Sequence, residues 1–373
     1  MSDAAPQRVS TLELFFDLVF VFTLTQLTAR LVDVEQPLAL GQVTLLLGLI
    51  FWMYGGYAWL TNTVAVERTE RRLLLLGGMA GFLVIALSIP EAFEDDGLAF
   101  GLAYVVVVVV HTALYTRTSS ESSRAAIVRI APFNLVTGLL VLAGGIAEDD
   151  LRYVLWGAAF LVEWVTPRLA GVSDFEIGVP HFVERHGLLV IVAIGESIVA
   201  IGIGAEELAL DLGLAGVAVL ALGLSAALWW VYFGNDDDVR AEHALAAERD
   251  QGRAAIDAYG YCHLLLLLGI IVMSAGFKHA IAHPHEAQEL EYALELAGGA
   301  ALFLAGDVLF RRRLRIGDTG WRIAAVAALM ASVPLGLVTS ATVQLAAMLA
   351  AIAAALVAEG RARPQPPGAA AAS

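Results

Sequence analysis

The stretch from His186 to Gly204 reads HGLLVIVAIGESIVAIGIG. Apart from His186, Glu196 and Ser197, every residue in it is apolar or glycine. As a helix rising 1.5 Å per residue it reaches about 28 Å, close to the ~30 Å hydrocarbon core of a bilayer. One such block could also be a buried helix of a large soluble domain. Its neighbours decide. Comparable blocks fall at about 12–32, 38–61, 72–90, 98–116, 125–146, 151–168, 186–205, 211–233, 256–281, 294–310, 320–340 and 342–359. The spacing predicts an all-α polytopic transmembrane bundle of about twelve helices. Membrane-barrel strands would alternate apolar and polar residues, whereas Val105–Val110 and Leu264–Leu268 are unbroken apolar runs.

Composition agrees. Of 373 residues, 59% are hydrophobic and 16% charged, against about 25% charged in a typical soluble domain. So little polar surface could not cover a core of this size. The basic residues orient the chain. With the N-terminus inside, the cytoplasmic segments take all of the 22 Lys and Arg except Arg30, Arg152 and Lys278. The positive-inside rule then places both termini in the cytoplasm and the protein in the cell membrane as a multi-pass chain. The net charge of −15 sits largely on the other face, in groups such as Glu91–Asp96, Glu148–Asp150 and Glu286–Glu291. Such a rim either solvates the surface or gathers cations at an entrance. Nucleic acid is not an expected partner; membrane lipids and a small ion or solute are, and association into a homo-oligomer is allowed without being implied. Glu13 and Asp17 in the first block argue against a cleavable signal core. Cys262 is the only cysteine, so no internal disulfide is expected.

The second six blocks echo the first. WMYGGYAWLTN (52–62) is matched by LWWVYFGN (228–235), LLLLGGMAG by LLLLLGIIV, and RIAPFNLVTGLL by RIAAVAALMASV. His111 and Asp307 occupy corresponding places. The offset grows from about 171 to about 196 residues, chiefly through a charged loop at 234–255. Six crossings per half make this a parallel repeat, a class in which substrates bind between the repeats. The expected organisation is a cytoplasmic segment 1–11, a first repeat 12–170, a second repeat 171–360 and a disordered tail 361–373.

The opening helices of the two halves carry the most informative motifs. Glu13-Leu-Phe-Phe-Asp17-Leu-Val-Phe-Val-Phe, followed by Thr25 and Gln26, opens the first. Arg185-His186-Gly187 through Gly195-Glu196-Ser197-Ile-Val-Ala-Ile-Gly202 opens the second, and Trp229-Trp230-Val-Tyr232-Phe233 follows. In these motifs the chain resembles the bacterial low-temperature-requirement A family of membrane proteins, over most of its length. The resemblance implies a membrane fold and location and names no chemistry. Gly234 departs from it, since an acidic residue commonly follows the Tyr-Phe pair in that family. Phe15-Phe16-Asp17 is also similar to the Phe-Ser-Asp motif of two-repeat, twelve-helix potassium channels, but the seventh block lacks the tripeptide.

Charges inside a bilayer cost about 2.5–3.5 kcal/mol each at a helix centre, so depth selects those that need explaining. Asp17, four residues from Glu13 on one helix face, lies near the inner interface, as do His111, Glu163, Asp257 and Asp307. Pairing with inner arginines accounts for these. Glu196 lies about 15 Å from His186, near the bilayer centre. The small residues Ala193, Ser197, Ala200 and Gly204 beside it suit close helix contact, so it faces protein. Either it is a hydrogen-bonded lock between helices, or it borders a path and binds a cation or relays protons. His186 is either a proton-transferring group at the inner mouth or a cap-region histidine. His263 and Asn134 read as packed polar contacts, Gly77 and Gly81 as a helix-packing pair. Trp52, Tyr57, Trp59, Trp229, Trp230 and Tyr232 read as belt aromatics.

Three functions remain open. A transporter or channel for a cation or protons would use Asp17, Glu196, Ser197 and Thr25 along the path, with Glu13 and His186 at the inner mouth and His111, Glu163, His263 and Asp307 as polar partners. A lipid-modifying membrane enzyme would use Glu196 or His186 as acid or base. A sensor would dock a partner on loop 234–255. An enzyme is the less favoured reading. No nucleophile elbow, Walker loop or cofactor fingerprint is present. His283-Pro-His285-Glu286 lacks the second histidine of a zincin and reads as a solvated loop, so neither metal nor cofactor is expected.

Overall fold

A computed structural model describes residues 9–33, 37–63, 68–117, 121–172, 177–206, 208–234 and 237–362, the side chains of 121–126 excepted. The expected tail is helical at Arg361 and Ala362; residues 363–373 lie outside the described residues.

The described chain is helical. Its first half comprises α1 (Thr11–Asp33), α2 (Leu38–Thr63), α3 (Thr69–Ser88), α4 (Gly97–Tyr115), α5 (Glu121–Ile146) and α6 (Asp149–Ala170). The second comprises α7 (Val179–Gly204), α8 (Leu212–Phe233), α9 (Asp237–Ala247), α10 (Gln251–Ala255), α11 (His263–Ala282), α12 (Leu290–Leu314), α13 (Gly320–Ala331), α14 (Val333–Val338) and α15 (Ala341–Ala362). A π-helical segment, Ile256–Cys262, joins α10 to α11, and α13 and α14 are one span broken before Pro334. Proline lacks the amide needed to continue the helix, which explains the break at Ser332. Twelve long helical units result, and eleven are long and apolar enough to cross a membrane. The exception is α6, whose Asp149, Asp150, Arg152, Glu163 and Arg168 dilute its apolar residues.

Helix neighbours repeat. In the first half α1 touches α2 and α3, α2 touches α4 and α6, and the series α3–α4–α5–α6 is consecutive. In the second, α7 touches α8 and α11, α8 touches α12 and α15, and α11–α12–α13–α15 is consecutive. The halves meet where α1 and α2 lie against α7 and α11.

Glycines set the closest contacts. A Cβ at Gly81 would stand 2.7 Å from Val107 of α4, and one at Gly78 would stand 2.5 Å from the Tyr57 hydroxyl, whereas Gly77 has nothing within 4 Å. The packing pair is therefore Gly78 and Gly81 rather than Gly77 and Gly81. On α11 and α12 the backbones themselves meet: a Cβ at Gly299 would lie 2.3 Å from the Met273 nitrogen, and one at Gly269 2.5 Å from that of Phe303.

Two further expectations change. The charged loop at 234–255 is largely helical: α9 lies against α7, α8 and α12, burying Asp237, Ala241 and Leu245. It is a helix rather than a loop, with one face packed and the other exposed at Asp238, Val239, Arg240 and His243. Among the expected belt aromatics, Trp229 and Trp230 are exposed, but Tyr57 and Tyr232 are buried inside the bundle. Their hydroxyls explain this: Tyr57 donates to the Val107 carbonyl at 2.9 Å, and Tyr232 lies 2.8 Å from His263 Nε2.

Candidate functional site: buried carboxylates between the first and seventh helices

Glu13 and Asp17 lie one turn apart on α1, and both are buried. Arg185 of α7 reaches between them. Its Nη1 donates to Glu13 Oε1 at 2.7 Å and to the Thr61 hydroxyl at 2.7 Å; its Nη2 donates to Asp17 Oδ1 at 3.1 Å. The Tyr54 hydroxyl donates to the same Asp17 oxygen at 2.8 Å. His181 Nε2 stands 3.2 Å from Glu13, and its other ring nitrogen 3.1 Å from the Asn62 amide. Ser10 closes the cluster by donating to Glu13 Oε2 from its amide and its hydroxyl, each at 2.8 Å, as a helix cap does. The guanidinium also faces the rings of Phe16 and Tyr54 at 5.5 and 5.8 Å. Two carboxylates share one arginine, and Asp17 Oδ2 has no partner among the described residues.

Deeper along the same contact, Glu196 is fully buried. Its Oε2 accepts a 2.5 Å hydrogen bond from the Thr25 hydroxyl, and its Oε1 has no partner among the described residues. The two residues are 171 apart in sequence, the offset at which the opening helices echo each other. Lys278 of α11, the chain's one lysine, acts electrostatically on Glu196 and on Asp33 at the far end of α1. No direct ion pair joins Lys278 to Glu196 among the described residues. Gly204 permits this approach, since a Cβ there would meet the Lys278 carbonyl oxygen at 2.8 Å.

The other predicted residues fall elsewhere. Ser197 turns toward α8, where its hydroxyl lies 2.7 Å from that of Ser225, so it does not share the Glu196–Thr25 contact. His186 points away from Glu13: its Nδ1 is 2.8 Å from the Phe182 carbonyl oxygen, and its ring lies 5.7 Å from that of His263. Glu163 pairs with no arginine; Oε1 accepts from the Tyr104 hydroxyl and Oε2 has no partner among the described residues. His111 likewise meets no arginine, and sits between Tyr57 and Tyr115 at 5.3 and 5.0 Å. Asp307 does pair as expected. Arg322 donates to it at 2.5 Å and to Glu359 and Asp237 at 3.1 Å each, while Arg311 bridges Asp237 and Glu359. Asp257 pairs with Arg313 at 2.9 Å. His283 and Glu286 are exposed, and no metal-holding group of three occurs among the described residues.

Arg185 was read from the sequence only as the first residue of the family motif, and His181 was not singled out, although a further signal was present for Arg185. Arg185 precedes Glu196 by eleven residues, which at 3.6 residues per turn brings them within about 20° of one another on α7. His186, ten residues away, falls about 80° off that line.

The model of the family described as bacterial low temperature requirement A protein (LtrA) matches residues 8–358. The chain belongs to this family. It is also 32% identical over 317 residues to an uncharacterized protein of Rhizobium meliloti (strain 1021), covering 82% of this chain and 77% of that protein. No solved structure matches.

Proposed function

We propose that this member of the low-temperature-requirement A family moves a small cation, protons foremost, along the contact between α1 and α7. Glu196 is the central binding or relay group, and the Glu13–Arg185–Asp17 cluster is the cytoplasmic gate. The observation that carries this reading is the unpartnered Oε1 of Glu196, fully buried on a membrane-spanning helix and eight residues from its C-terminal end. A buried carboxylate is stable only when paired, protonated or bound to a cation, and Thr25 satisfies one oxygen alone. Intramembrane carboxylates facing protein mark ion and proton pathways. Thr28, one turn beyond Thr25, and Lys278 extend a polar line toward the outer end of α1.

A parallel two-repeat architecture fits this assignment. The matching helix neighbours in the two halves support it. Thr25 and Glu196 are then equivalent positions, and equivalent residues touch only beside the axis relating the halves. Twelve crossings, with α6 included at about 33 Å, would leave both termini on one side, and the excess of basic residues there supports the cytoplasm of a cell-membrane protein. Bilayer lipids cover the exposed apolar side chains, such as Leu18 and Leu73.

The test is ion flux into sealed proteoliposomes under imposed proton, sodium or potassium gradients. Glu196→Gln is expected to lower flux at least about tenfold, the ~1.4 kcal/mol scale of one lost charge-assisted contact, while Ser225→Ala leaves it unchanged. Undiminished flux from folded Glu196→Gln protein removes Glu196 from the path. No flux from folded wild-type protein under any gradient refutes transport.

A further inference from the structure

The buried Glu196 has one charged neighbour. Among the described residues only Lys278 of α11 acts on it by charge. Two contacts fix how α7 and α11 lie. The ring of His186, in the first third of α7, is 5.7 Å from that of His263 at the start of α11. Gly204 ends α7 against Lys278, whose Cα would stand 3.1 Å from a Cβ there. The helices therefore run side by side in the same direction, and Lys278 is level with a point about 12 Å beyond Glu196. Helical side chains lean toward the N-terminus of their helix, so the long lysine stem brings its ammonium back toward the carboxyl.

Lys278 is half-buried and makes no ion pair among the described residues. The second carboxylate that acts on it is Asp33, exposed at the end of α1. It is also the one lysine among 22 basic residues. An arginine fork clamps two carboxylates at once, as Arg185 does. A lysine ammonium is a point charge on a flexible stem and can exchange partners. A buried carboxylate that loses its proton needs a positive charge close by, and an ammonium already there repels a second cation. The other groups around the pair are uncharged or engaged elsewhere. Helix α1 presents Thr25 and Thr28 to the carboxyl, and α8 presents Ser225 to the adjoining Ser197. His279 stacks on Tyr292 of α12 at 3.7 Å, and Glu291 acts on His279 rather than on Lys278.

With Glu196 as the relay group proposed above, we infer that Lys278 is its internal counter-cation, and that the site exchanges this ammonium for a proton and not for sodium or potassium. When the proton leaves Oε1, the ammonium moves onto the carboxylate and Asp33 is left to water. When a proton returns and the carboxyl becomes neutral, the ammonium moves back toward Asp33. In each state it faces an ionised carboxylate.

The test is the pH profile of Glu196 labelling by dicyclohexylcarbodiimide, which modifies a carboxyl only while it holds its proton. The proton passes to a nitrogen of the reagent and the carboxylate oxygen adds to its central carbon, with nothing leaving. The modified peptide is quantified by mass spectrometry from purified full-length protein in detergent, with Glu196→Gln as the blank. Labelling of the wild type should fall as pH rises. Lys278→Met should move the profile up by at least about one pH unit, a tenfold gain in proton affinity. Lys278→Arg keeps the charge and should move it by less than about half a unit. Asp33→Asn removes the second carboxylate and should move it down by at least about half a unit, an effect that vanishes in the Lys278→Met background. Sodium or potassium exchanged for choline at constant ionic strength should leave the wild-type profile in place. An unmoved profile in folded Lys278→Met, a wild-type profile that shifts with sodium or potassium, or no labelling of Glu196 at any pH would each overturn the assignment. If Lys278→Met fails to fold, an unmoved profile in Asp33→Asn, at its exposed position, overturns it instead. Labelling needs no gradient and no flux, so failure of the counter-cation and failure of transport are read separately.

Discussion

Replacing Arg185 by glutamine probes what holds α1 to α7. The guanidinium is 1% exposed and serves Glu13, Asp17 and Thr61 at once. Its loss strands two buried carboxylates within reach of each other, one of which already has an unpartnered oxygen. Removing one partner of a buried ion pair costs about 3–5 kcal/mol, because the remaining charge keeps its desolvation penalty. The single substitution should therefore destabilise the folded bundle by about that amount. The penalty belongs to the stranded charges, so neutralising them should recover most of it. Asp17→Asn keeps a side-chain oxygen for Tyr54, and Glu13→Gln keeps one for Ser10. Added to Arg185→Gln, they should bring the net cost down to about 1–2 kcal/mol, a coupling of at least about 2 kcal/mol. The assay is reversible unfolding by sodium dodecyl sulfate in mixed micelles, followed by tryptophan fluorescence for all members of the cycle. Additive effects, within about 0.5 kcal/mol, would show that the residues do not act as a cluster and would refute the reasoning.

Gly81→Ala should destabilise by about 1–3 kcal/mol in the same assay, because its Cβ meets Val107 at 2.7 Å. Gly77→Ala, with open space around it, should be neutral or stabilising by up to about 1 kcal/mol through helix propensity; the reverse order would contradict the packing described. Exchanging Thr25→Glu with Glu196→Thr carries the carboxylate across the α1–α7 contact. The double variant should retain flux that Glu196→Thr alone loses, and a double variant as inactive as that single one would argue against a path lying between the two positions. Amide hydrogen exchange should be slowest along α11 and α12, whose glycines bring backbone against backbone; faster exchange there than in α3 and α4 would contradict this.

Fold was legible because a bilayer imposes it. Uninterrupted apolar blocks of one length admit few structures, and His186–Gly204 alone lies within a helix spanning Val179–Gly204. The burial of Glu196 was equally legible, since the small residues beside it indicated that it faces protein. Which helix it faces was not. Thr25 lies 171 residues away, and only the folded contact reveals that its hydroxyl reaches Oε2. Ser197 and His186 illustrate the converse: each is a sequence neighbour of a site residue, yet one position of helix turns a side chain by about 100°. The π segment at Ile256–Cys262 left no sequence signal, because it sits at the start of the apolar block and inserts into the helix without a proline. The glycine contacts escaped for a related reason. Gly77 and Gly81 have the familiar spacing, but the close contacts fall at Gly78, against Tyr57 of α2, and at Gly81, against Val107 of α4.

The two halves share a set of neighbours and differ in how they hold them. In the second half, buried carboxylates Asp307, Asp237 and Glu359 are met by Arg311 and Arg322, and α11 joins α12 through glycines at 269, 276, 299 and 306. In the first, Glu163 lies at the place corresponding to Glu359 by the 196-residue offset, yet among the described residues has only Tyr104 as a hydrogen-bond partner. His111, corresponding to Asp307, meets no arginine, and a cavity opens beside it. Charge compensation and backbone contact both resist rearrangement, the first because separating the partners exposes unpaired charge, the second because interdigitated backbones cannot slide. Backbone contact is common to both halves, since Gly97, Gly101 and Gly145 bring α4 against α5 as the glycines of α11 and α12 do, so the arginine-bridged carboxylates are what distinguishes the second half. Helix α1 lies against this half through α7 and α11, tied near its N-terminal end by Arg185 and about two turns further on by one hydrogen bond from Thr25 to Glu196. If the halves move against each other during transport, these are the contacts that must break, which sets the gate and the central carboxylate on the same seam.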